Sequence, residues 1–113
     1  MLNIIRQAAN ATKEDIYFMS AAPNIGKMSD LKGSKVEVTS WVIYEDQKDD
    51  GSDTTITAIL DADGEAHATN SRVFRKDFEN IIDIFGDDFG SLEVVGGISK
   101  AGRDYVTCVY ARA

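Results

Sequence analysis

The chain has 113 residues, 43% of them hydrophobic and 27% charged, and a formal net charge of −7 from 19 acidic and 12 basic side chains. That length supports one hydrophobic core, and so one domain over residues 1–113 with an ordered or helical N-terminal arm over about residues 1–34. The charge excludes gripping a polyanion by bulk attraction, and a lone cysteine, Cys108, excludes an internal disulfide.

Cys108 and His67 alone cannot supply the three or four ligands of a zinc site, so neither a metal nor a cofactor is expected. No apolar run is long enough to span a bilayer, and residues 1–10 hold too short an apolar stretch for a signal peptide. A cytoplasmic address away from membranes is the expectation.

Residues 1–10 carry no decisive pattern and read as weakly structured or loosely helical. Thr12-Lys13-Glu14-Asp15 is a capping-box pattern, which predicts a short helix from about Lys13 to Ala22, ended by Pro23. The mixed stretch from Ala22 to Ser34 is expected to tuck Ile25, Met28 and Leu31 under the domain.

The first strong strand runs from Lys35 to Glu45. Period-two alternation puts Val36, Val38, Ser40 and Val42 on one face and Glu37, Thr39, Trp41 and Ile43 on the other. Trp41 therefore either lies beneath a second covered face or offers its ring to a ligand. Asp46 to Asp53 is an acidic turn; Gln47 and Lys48 stand where a calcium loop needs oxygen ligands, so it reads as a solvated hairpin tip.

Thr54–Leu60 returns as a second strand, Asp63-Gly64 marks a tight turn, and Glu65–Thr69 makes a third. Phe74, Phe78, Ile81, Ile82 and Phe85 then recur on one face of a helix from Ser71 to Gly86. Asn70 and Ser71 can cap its start, and Gly86 can end it in the left-handed conformation. Leu92–Ile98 is a fourth strand whose Gly96-Gly97 pair predicts a bulge or bend. After a turn at Ser99–Asp104, Tyr105–Ala111 is the fifth.

The fold class is thus mainly β with one or two helices, in the order three strands, helix, two strands. That is the order of a five-stranded OB-fold barrel with its helix between strands 3 and 4. An open antiparallel sheet with one helix across a face is the alternative architecture.

Catalysis is poorly supplied: no Ser-His or Cys-His neighbourhood and no phosphate-cradling Gly-rich loop is present, so no enzyme is expected. Binding is better supplied. Trp41, Tyr44, Tyr105 and Tyr110 fall on strands, and Lys35, Arg72, Lys100 and Arg103 fall at strand or turn ends. Rings that stack on bases, rimmed by cations that track phosphates, are what a single-strand binder needs.

Four strings add to this: Ile25-Gly-Lys-Met-Ser-Asp-Leu-Lys-Gly, Ser40-Trp-Val-Ile-Tyr-Glu, Ala68-Thr-Asn-Ser-Arg-Val-Phe and Ile98-Ser-Lys-Ala-Gly-Arg-Asp-Tyr-Val-Thr-Cys. In that order and spacing, over about residues 14–111, the chain resembles small single-stranded-DNA-binding proteins of tailed bacteriophages of Gram-positive hosts. The resemblance implies an OB barrel that coats DNA exposed in phage replication or recombination, inside the infected host. It also implies that Trp41, Thr69, Asn70, Ser71, Lys100, Arg103 and Tyr105 lie along a DNA groove. Many such proteins recruit partners through an acidic C-terminal tail; Tyr110-Ala-Arg-Ala is not one, so recruitment by that route is not expected. The competing reading is an acidic protein-interaction module that presents Asp46–Asp53 and Asp87-Asp88 to a phage or host replication protein.

Overall fold

The computed structural model describes residues 3–47, 51 and 53–112. Its strands are β1 (Asn3–Gln7), β2 (Gly26–Lys27), β3 (Lys35–Gln47), β4 (Asp53–Asp61), β5 (Ala66–Thr69), β6 (Ser91–Ile98) and β7 (Asp104–Ala111). Helix α1 (Lys13–Ser20) follows β1, a 3-10 turn (Met28–Leu31) follows β2, and helix α2 (Arg72–Phe85) separates β5 from β6. Together the strands form one seven-stranded sheet in the order β2-β5-β4-β3-β6-β7, with β1 also paired to β3. It curls into an open half-barrel, mainly β with two helices, rather than a sheet of five strands.

The curl originates in β3. Residues Lys35 to Glu37 pair with β6, and Val38 to Gln47 pair with β4, so one strand serves both halves of the sheet. Between Val38 and Ser40 the β4 register shifts by one residue: Val38 faces Asp61 and Ser40 faces Leu60, leaving Thr39 as the extra residue of a bulge. The Thr39 hydroxyl donates to the Leu60 carbonyl at 3.0 Å and holds the irregularity closed. A bulge reverses which side chains point inward beyond it. Val36 therefore shares one core with Trp41 and Ile43, while Val42 and Tyr44 face the other way.

Both faces of this wall are covered. On the inner side α2 presses Phe74, Phe78, Ile81 and Ile82 against Trp41, Ile43, Ile59, Leu92, Val94 and Cys108. On the outer side Met19 of α1 packs with Val42, Tyr44, Ala58, Leu60 and Ala66, and Ile16 and Ile25 pack against that cluster. Each large side chain removed from water contributes about 1.5–3 kcal/mol, so the four residues of the α2 stripe are a major part of the core's stability. Met28 is buried in the inner core and Leu31 packs beside it.

The helix ends follow local chemistry. Thr12 and Asp15 form the reciprocal capping box at the start of α1. Ser71 caps α2 by accepting from Phe74 N at 3.1 Å. Gly86 ends it at φ 92° and ψ 176°, outside the left-handed helical region expected from the sequence but in one open only to glycine. Asp61 organises the β4–β5 turn by accepting from the backbone of Asp63 and Glu65 at 2.9 Å each. No described helix is long and apolar enough to cross a membrane.

Two further expectations are corrected. The N-terminal segment read as loosely helical contains β1, because Asn3–Gln7 pairs with the β3 edge at Glu45, Tyr44, Ile43 and Val42. Arg6 ties β1 to α2 by bonding Asp83 at 2.8 Å, which with Glu79 holds its guanidinium pKa above the ordinary value. Of the bulge or bend predicted at Gly96-Gly97, the bulge is not there: β6 and β7 pair in unbroken register from Ser91↔Ala111 to Ile98↔Asp104. Of the acidic turn Asp46–Asp53, residues 48–50 and 52 lie outside the described residues.

Candidate nucleic-acid interface

The path of the sheet ends at β2 and β7, and the space beside these ends is a cleft of about 550 Å³. Its apolar part is Met28, Ile56, Ala68 and Val106. Its polar part is Lys27, Ser29, Thr69, Asn70, Ser71, Asp104 and Tyr105. An apolar lining with a few convergent polar groups is the usual composition of a small-ligand site. Next to it lies a more polar cleft of about 250 Å³, lined by Asp53, Thr54, Thr55, Asn70, Arg72 and Arg75. Asn70 belongs to both, so the two adjoin at the start of α2 and together make a candidate path.

Ser71 sets the geometry of that corner. Its hydroxyl accepts from Phe74 N and donates to the Val106 carbonyl at 3.0 Å, so the residue that starts α2 also fastens it to β7. Thr69 Oγ1 in turn accepts from Ser71 N at 3.1 Å. The start of α2 is thereby held to the end of β5 and to β7.

Charge along α2 runs against the helix dipole. Its first turn holds Arg72 and Arg75 and no acid, and its last turn holds no base. A helix N-terminus carries a partial positive charge, so cations there are unfavourable by about 0.3–1 kcal/mol each until an anion arrives. Arg75 approaches Glu79 at 3.9 Å, whereas Arg72 makes no ion pair among the described residues.

The sequence-predicted residues divide sharply. Thr69, Asn70 and Tyr105 line the larger cleft and Arg72 the smaller. Trp41, expected as a stacking ring, is 1% exposed: it meets Phe78 edge to face at 5.6 Å and donates its indole N–H to the Asp87 carbonyl at 3.2 Å. Tyr44 is 6% exposed beneath the α1 cluster, and burial, with Asp46 adding to it, raises its phenol pKa. Neither ring can reach a base, because the Thr39 bulge and the second covering layer put both inside. Lys35 bonds the Arg112 carbonyl and faces Glu93, toward the other end of β6 from the Gly97–Tyr105 pair. Lys100 and Arg103 are exposed on the β6–β7 turn and line neither cleft. Tyr110 stacks on Phe85 with ring centroids 3.9 Å apart.

Two cations of the path were not singled out from sequence. Arg75 lies three residues after Arg72, a spacing that places both on one side of a helix and is readable in principle. Lys27 owes its place to the parallel pairing of β2 with β5, where it sits opposite Ala68, and no local pattern announces that. Compared with family models, curated proteins and solved structures, the chain matches none.

Proposed function

We propose that this chain is a non-enzymatic binder of single-stranded DNA with little sequence preference, built on an OB-like half-barrel. The observation that carries the reading is the joining, at Asn70, of an apolar-lined cleft with one that holds Arg72 and Arg75 at the positive end of α2. A base enters the first and its phosphates lie along the second, where they relieve the unfavourable placement of the two arginines. Tyr105, 37% exposed at the rim, provides a ring for a neighbouring base. The run β3, β4, β5, helix α2, β6, β7, with β3 shared between both halves, supports the OB-like description. In the setting that the resemblance implies, the DNA is the strand exposed in phage replication or recombination.

The overall charge of −7 limits the grip and makes it local. Among the described residues three cations, Lys27, Arg72 and Arg75, line the path beside the acids Asp53 and Asp104. Single strands release counterions at about 0.7 per phosphate neutralised, so log K falls against log salt with a slope of about −2. Fluorescence anisotropy of a labelled oligo-dT, titrated at several salt concentrations, tests this. Binding with a Kd on the order of 10 µM at low salt and that shallow slope supports the reading. Flow-through on single-stranded-DNA cellulose, with no anisotropy change at low salt, would refute it.

A further inference from the structure

Gly97 and Tyr105 stand directly opposite each other on β6 and β7. A Cβ built on Gly97 would lie 2.4 Å from Tyr105 Oη, 2.5 Å from Cζ and 2.8 Å from Cε1. Real Cβ atoms do not approach so closely, so the tyrosine ring lies across the bare Gly97 backbone. Gly97 is absent from the glycines with positive φ, so its backbone conformation does not call for glycine; the missing side chain does. The same holds one residue earlier on the opposite face, where a Cβ on Gly96 would meet the Lys32 stem at 2.7 Å. A glycine inside a strand weakens the strand, so two in succession need a reason.

We infer that Gly97 is a positioning residue of the binding surface: its bare backbone seats the Tyr105 ring flat on the sheet, so that the outward ring face meets a nucleobase. The inference rests on the single-strand reading proposed above. The Gly97 backbone lies against the phenol end of the ring at Oη, Cζ and Cε1, and Tyr105 as a residue keeps 37% exposure. Any side chain at position 97 lifts or turns the ring and removes the platform. A flat, pre-seated ring also loses little freedom when a base arrives, which favours binding. The Ser99–Arg103 turn, closed by Ser99 N to the Arg103 carbonyl at 2.8 Å, keeps the two strands in the register that this seating needs.

The test is a double-mutant cycle on oligo-dT binding, using the full chain and the variants G97A, Y105A, Y105F, G96A and G97A/Y105A. Expected are losses of roughly 5- to 100-fold for G97A and for Y105A, the range set by one base–aromatic stack. The double variant is no weaker than Y105A alone, Y105F keeps its affinity, and G96A, which displaces only the flexible Lys32 stem, does the same. A glycine needed merely so that an aromatic can shield the strand gives a different result: G97A lowers the melting temperature and leaves the affinity of the folded protein unchanged, which overturns the inference. So does a G97A loss that is undiminished in the Y105A background.

A second readout needs no variant at position 97. The Gly97 Hα protons, under the ring, resonate upfield in the wild-type chain, lose that shift in Y105A, and move when oligo-dT is added. Absence of the upfield shift overturns the ring's seating alone. A wild-type chain that shows the shift but binds no oligonucleotide overturns the functional reading and this role with it.

Discussion

Replacing Trp41 by Phe separates a core indole from a stacking indole. Trp41 is 1% exposed, keeps Phe78 at 5.6 Å and donates to the Asp87 carbonyl at 3.2 Å. Phenylalanine retains the edge-to-face contact, loses the hydrogen bond at about 1 kcal/mol, and leaves a void. Roughly two carbon-sized groups are missing from that void, at about 0.8 kcal/mol each. The sum is a destabilisation of about 2.5 kcal/mol. In urea, with an m-value of about 1.3 kcal/mol/M for a domain of this size, the midpoint falls by about 2 M with m unchanged. Affinity of the folded variant for oligo-dT stays within about twofold. Because the chain holds one Trp, its emission also reports the site directly. The emission is blue-shifted, shifts red on unfolding, and is not quenched by oligonucleotide. A variant with unchanged midpoint and lost DNA affinity, or a wild-type indole quenched by oligo-dT, would refute the reasoning.

Arg72→Gln is expected to act oppositely on stability and binding. It leaves the unliganded chain as stable or about 0.3–1 kcal/mol more stable, since a cation leaves the positive helix end, while anisotropy shows weaker oligo-dT binding and a shallower salt slope. Cys108 is buried and its thiol pKa is pushed up to about 12 by burial, with Asp77 adding to it. The folded chain is therefore inert to thiol reagents at pH 8 and reacts fully in denaturant. Because the folded pKa lies above the ordinary 9.0, this group's contribution to stability is complete below pH 9 and declines as pH rises toward about 12, measurable as a falling urea midpoint. Arg6→Ala removes an exposed bond to Asp83 and a half-buried one to Glu79 that are worth about 1 kcal/mol or less, so its effect on the midpoint is small and fades with salt. Hydrogen exchange nonetheless quickens selectively at β1 amides, because the tie to α2 is gone.

What could be read from the sequence was whatever is encoded locally. The stripe Phe74, Phe78, Ile81, Ile82 placed α2 to within a residue at each end, because capping and periodicity are properties of neighbours in the chain. Thr12 with Asp15, and Asp63-Gly64, were legible for the same reason. The facing of β3 was not. Strict alternation continued through Thr39, whereas the strand inserts a residue there to serve two halves of a curled sheet, and that demand comes from tertiary pairing. The misplacement of Trp41 follows from that shift, and that of Tyr44 from the packing of α1 over the outer face, which the helix's own pattern does not announce. Likewise β1 is five residues with no alternating pattern to announce it, and it forms by pairing with the β3 edge. Thr69 and Asn70, which the resemblance named, and Arg72, which its place at an element end named, line the two clefts, while Lys27 reaches them through a crossover that no local pattern announces.

Amide chemical shifts of the isotopically labelled chain, followed as oligo-dT is added at low salt, test the proposed path most directly. The account predicts saturable shifts at Lys27 to Ser29, Ala68 to Arg75 and Asp104 to Val106, with the Trp41 indole N–H unmoved. Saturation without shifts in those segments, or with the largest shifts on the α1 face, would contradict it.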